Sequence, residues 1–156
     1  MSLKMYLPFG DWSDDGHGKY EKVLIEAPSM EHLLNAQKKI KAEYGEHFFH
    51  EMADEYCEPY FSETVWQALI DSDYPMQRMI ETEYYNDWTG VNSIQEVLEI
   101  DECPSLCIDF VIDTFIWLLN WKGAEIVRLD AKNDIPMICN WTCEGFEEVG
   151  YGCFLD

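Results

Sequence analysis

Residues 104–121 read PSLCIDFVIDTFIWLLNW, and this stretch decides the fold. It predicts a helix that Gly123 can end, apolar on nearly every face, with Asp109 and Asp113 its only charged residues. A helix of that kind lies at the centre of a fold, because every side of it must be covered. Its most apolar part, residues 108–119, is too short to cross a bilayer, which takes ~20 apolar residues. The two aspartates, four positions apart, must be exposed, paired or shifted in pKa. Acid/base groups in a cleft are one outcome, and pairing with Arg128 or Lys122 is the simpler one.

Before this helix the chain reads as a run of shorter helices. Ser29 is a good N-cap for a helix through Tyr44, with Leu33, Leu34, Gln37 and Ile40 on one stripe and Gly45 at its end. A second helix is expected over 46–57, stopping before Pro59. Ser62 caps a third, with Val65, Trp66, Leu69 and Ile70 turned inward. Pro75 opens a fourth, and Ser93-Ile94-Gln95-Glu96 is a capping box for a fifth.

Both ends of the chain look like strands. Met5, Leu7 and Phe9 alternate with Lys4, Tyr6 and Pro8, and residues 20–27 form a return strand. Pro8 cannot donate to a ladder, so its strand is expected at an edge or to end there. Further strands are expected at 124–130, 135–141 and 146–155. Strand-rich ends around a helical middle define the α+β class. The expected fold is one domain over 1–156, an antiparallel sheet from the N-terminal hairpin and the C-terminal strands packed on a central helical layer. With 47% apolar residues, and eight Phe, nine Tyr and six Trp among them, the chain can fill a core despite its charge.

That charge is lopsided. Residues 1–45 carry seven acidic and six basic side chains, and residues 46–156 carry twenty-four and four. Within 46–102, fifteen carboxylates face Arg78 alone. Such a field repels nucleic acid and anionic membrane and draws in cations or basic protein surfaces. Residues 1–9 lack the basic and apolar regions of a secretory leader, and the expectation is a cytoplasmic protein with reduced thiols.

Three constellations carry possible chemistry. Asp11, Ser13, Asp15 and Gly16 repeat the opening of an EF-hand loop, but its twelfth position is Lys22 where a bidentate glutamate is required. A looser divalent-cation site using Asp11, Asp14, Asp15 and His17 fits the residues, as does a solvated hairpin loop. The pairs Cys103/Cys107 and Cys139/Cys143 have a spacing zinc accepts but lack a tight knuckle. His47 and His50 share a helical face with Asp54 and complete no metal motif. No nucleophile elbow, phosphate loop or dinucleotide fingerprint occurs, so catalytic residues are not assigned and no cofactor beyond a divalent cation is expected.

Two function classes fit these residues. The first is a non-catalytic acidic binding protein, immunity- or inhibitor-like, that masks a basic protein partner. Glu51, Glu55, Glu58 and Glu63 would supply its charge, and Tyr60 and Trp66 its aromatic anchors. Phe61 and Tyr74 belong to the same aromatic set. The second is a small metal-dependent enzyme or metal-binding domain centred on the 11–17 loop.

Overall fold

The computed structural model describes residues 3–10, 20–49, 61–82, 90–101, 106, 108–129, 140–142 and 145–147. β1 (Leu3–Gly10) and β2 (Tyr20–Ala27) form the expected antiparallel hairpin, in a register that sets Leu3 opposite Ala27 and Pro8 opposite Lys22. β3 (Val127–Leu129) joins the other edge of β2, giving the order β1-β2-β3 with Pro8 in an edge strand. Of the other C-terminal strands, β4 (Asn140–Thr142) and β5 (Gly145–Glu147) pair with each other in a separate two-stranded ribbon. The fold is α+β, with five helices among the described residues.

Four of the five helix starts have a local chemical cause. In α1 (Met30–Tyr44) the Ser29 hydroxyl accepts from the His32 backbone N–H at 3.2 Å. In α2 (Glu63–Asp71) Ser62 accepts from Val65 N–H at 3.3 Å. α3 (Met76–Thr82) begins directly after Pro75. In α4 (Ile94–Ile100) Ser93 accepts from Glu96 N–H at 3.2 Å, and the Glu96 carboxylate reaches back to Asn92 N–H at 2.9 Å. The capping box therefore closes one residue earlier than in its simplest form, where glutamate binds the N-cap N–H itself. Gly45 (φ 117°) and Gly123 (φ 93°) end α1 and α5 in backbone that other residues rarely adopt.

α5 (Ile108–Trp121) is the centre of the core. Phe110, Val111, Ile112, Thr114, Phe115, Ile116, Leu118 and Leu119 are all buried. Leu33, Ala36 and Ile40 of α1, Val65, Trp66 and Leu69 of α2, and Ile25 and Ala27 of β2 belong to the same buried cluster. The helix expected from residue 46 does not begin there. Residues 46–49 form a hydrogen-bonded turn instead, with Phe48 N–H donating to Gly45 O at 3.2 Å. The turn serves packing: it drops Phe48 and Phe49 into the core edge-to-face at 5.2 Å, and Phe49 meets Phe115 at 5.9 Å. Residues 50–57, the rest of that expected helix, lie outside the described residues. No helix among the described residues is long and apolar enough to cross a membrane.

Candidate functional site

Among the described residues in the middle of the chain, most carboxylates lie on or beside α2 and α4. Residues 61–77 and 90–101 hold six carboxylates, three in each stretch, and no lysine or arginine. Glu63, Asp71, Asp73, Glu99 and Asp101 are exposed, and Glu96 is half-buried by its capping role. Glu63 stands in the first turn of α2, where the helix dipole favours negative charge.

Two clefts open along the seam of these helices. Glu63, Trp66, Gln67 and Ile70 of α2 and Leu98 of α4 line a cleft of about 420 Å³. A second, of about 310 Å³, is bordered by Ile70, Asp73, Tyr74, Met76, Asn92 and Gln95, among others. Ile70 borders both. Ile100, at the end of α4, is 69% exposed.

The floor of the larger cleft is aromatic and aliphatic. Trp66 is 2% exposed, edge-to-face with Phe61 at 5.2 Å and tilted against Phe110 at 6.1 Å. Its indole Nε1–H has no acceptor among the described residues, which is costly for a buried donor. Beyond the floor, Gln67 donates its side-chain amide to Asp71 Oδ1 at 2.8 Å, and Tyr44 donates its hydroxyl to Asp71 Oδ2 at 2.7 Å. The Tyr44 and Gln67 donors hold the Asp71 carboxyl below its usual range. Burial, and then the bond to Asp71, push the Tyr44 phenol well above its ordinary value.

The charge on the central helix is settled differently from expectation. Asp113 does not pair with Arg128 or Lys122. It receives Arg78 in a two-pronged ion pair, through Nε at 3.0 Å and through Nη2, and it also accepts from the Tyr74 hydroxyl. The Arg78 guanidinium lies over the Trp117 ring at 5.5 Å, and the Asp113 bond raises its pKa further. Lys122 instead binds Glu43 at 2.6 Å and covers the Trp121 ring. The Asp109 side chain lies outside the described residues.

Among the expected binding residues, the structure brings Glu63 and Trp66 to one cleft, with Glu63 at the rim and Trp66 in the floor. Trp66 is thus a core ring that borders the cleft while remaining almost wholly buried. Phe61 and Tyr74, read as members of the same aromatic set, are buried at 5% each. Glu51, Glu55, Glu58 and Tyr60 lie outside the described residues, as do Asp11, Asp14, Asp15 and His17 and all six cysteines. Among the described residues no group of three or more His, Cys, Asp or Glu could hold a metal. The seam itself was not foreseen, because α2 and α4 are separated by α3 and only tertiary packing brings them together. Comparison with known protein families, characterised proteins and solved structures gave no match.

Proposed function

We propose that this chain is a non-catalytic binding protein, immunity- or inhibitor-like, that masks a basic protein partner in the cytoplasm. The observation that carries the reading is the excess of twenty acidic over basic side chains in residues 46–156. The six carboxylates of the α2 and α4 stretches, which contain no lysine or arginine, give that excess a surface. A field of this sign speeds association with a cationic partner and repels nucleic acid and anionic membrane.

The test is a pull-down from the source organism at low salt, followed by association kinetics on the basic protein recovered. The on-rate should fall steeply as salt rises while dissociation changes less. Reversal of Glu51, Glu55, Glu58 and Glu63 to Lys should lower the on-rate without unfolding the chain. Unchanged kinetics, or acidic partners alone, would overturn the reading. The second reading, a small metal-dependent enzyme or metal-binding domain, rests on the four candidate ligands Asp11, Asp14, Asp15 and His17 in one loop.

A further inference from the structure

Resting on the masking reading, we propose that the larger α2–α4 cleft seats a lysine or arginine side chain of the partner. Three properties select that occupant. The cleft is bordered by the apolar Trp66, Ile70 and Leu98, by Gln67, and by Glu63, an exposed residue that brings a negative charge to it. An aliphatic stem with a cationic head satisfies both, since lysine and arginine lay their methylenes on apolar surface and keep the charge in water. At about 420 Å³ the space suits one long side chain with its backbone, near the lower end of the roughly 300–1,000 Å³ of ligand pockets.

The surroundings exclude other occupants. An anionic group would meet Glu63 with Asp71 and Glu99 on the same two helices and no lysine or arginine in either stretch. A second copy of this chain would bring a net charge of −21 to an acidic rim. An apolar side chain alone would leave the charge at the rim unused. The buried Trp66 Nε1–H, without an acceptor among the described residues, sits on the ring that borders this space and would report its occupation.

The experiment uses the full chain and a fluorescent ten-residue peptide alternating lysine and serine, with a glutamate–serine peptide as control. Amide and indole signals are followed by NMR, and affinity by anisotropy at low salt. The shifts should cluster at residues 63–70 and 95–98 and on the Trp66 indole. Glu63→Lys should weaken binding about tenfold, and Glu63→Gln about threefold. Glu31→Lys, an equal charge change on the exposed first turn of α1, should weaken it less than about twofold. Ornithine in place of lysine, one methylene shorter at equal charge, should cost about threefold if the stem lies on the apolar floor.

Shifts scattered over the surface, equal losses for Glu63→Lys and Glu31→Lys, or no binding of the lysine peptide would overturn the cleft as the seat. The kinetics with the recovered partner judge the masking reading independently, so the two can fail separately.

Discussion

Arg78 and Asp113, thirty-five positions apart, join α3 to the central helix through a two-pronged ion pair. Asp113 is the buried member, with its side chain 13% exposed against 45% for Arg78. Removing the half-solvated cation leaves the mostly buried carboxylate without its charge partner, and therefore costs more than removing the carboxylate, which leaves Arg78 to water. Breaking a fully buried pair costs ~3–5 kcal/mol, and the exposure of Arg78 reduces this to about 2 kcal/mol for Arg78→Met. Asp113→Ala should cost less, because it leaves no buried charge behind. Urea unfolding of the two variants checks the order. Equal midpoints would mean that the pair contributes only as surface charge.

The same pair shows where sequence reading ran out. The apolar run at 104–121 announced a central helix, and Ser29, Ser62 and Ser93 announced three helix starts, because those signals are local. That Asp113 needed a partner was also legible, since an aspartate on an apolar helix cannot stay unpaired and buried. Which cation it would take was not: Lys122 and Arg128 follow the helix in sequence and were the expected partners, whereas Arg78 reaches Asp113 only once α3 packs on α5. The turn at 46–49 failed for a related reason: Phe48 and Phe49 fit a helical stripe, but packing against Phe115 pulled both inward at once. Glu63 and Trp66 were legible as residue types, whereas the cleft that unites them with Leu98 exists only in three dimensions.

Tyr44 and Asp71 give the stability curve a feature at each end of the pH scale. The Asp71 pKa is lowered by its Tyr44 and Gln67 donors, so its contribution is complete above about 4 and is lost as pH falls through the lowered value. The Tyr44 pKa is raised from 10.0, so its contribution is complete below pH 10 and is lost as pH rises toward the raised value. Tyr44→Phe should lower stability by about 1 kcal/mol at pH 7. The gap to the unsubstituted chain should narrow both above pH 10 and below pH 4. Thermal melts across this range check it, and a gap independent of pH would exclude the coupling.

Asn120 closes the return from α5 to β3. Its side chain donates from Nδ2 to Ile126 O at 2.9 Å and accepts from Ile126 N–H at 2.6 Å, satisfying both backbone groups of a residue only 5% exposed. Asn120→Ala leaves that donor and acceptor unpaired, at about 2 kcal/mol. Asn120→Asp keeps the acceptor and loses the donor, and should fall between. Hydrogen exchange at the Ile126 amide is the local readout. Unaltered protection in Asn120→Ala would show that the turn is held by other means.

The loop at 11–17 has a direct test. If Asp11, Asp14, Asp15 and His17 bind a divalent cation in the native state, millimolar Ca²⁺, Mg²⁺ or Mn²⁺ raises Tm through that binding. Asp11→Asn combined with Asp15→Asn should abolish the gain. A rise that survives in the double variant identifies general screening of negative charge, and no rise leaves the loop without a cation.

Salt should stabilise this chain even without a specific site, and the sign of the effect is set by its charge. With thirty-one acidic and ten basic side chains, repulsion among carboxylates outweighs attraction, and several of the cations are already committed. Lys4, Arg78 and Lys122 each hold a carboxylate. Screening shortens the reach of all these interactions from ~30 Å at 0.01 M salt to ~3 Å at 1 M. It therefore relieves more repulsion than it costs in attraction, and Tm should rise with NaCl over that range. Glu99 is exposed on α4 among the acidic residues of the seam, so Glu99→Lys should stabilise the chain at low salt by about 0.5 kcal/mol. That is about 1–2 °C in Tm for a chain of this size, and it should vanish at 1 M NaCl. A Tm that falls with salt, or a Glu99→Lys gain that persists at 1 M, would show that short-range ion pairs and not the net field govern the acidic face.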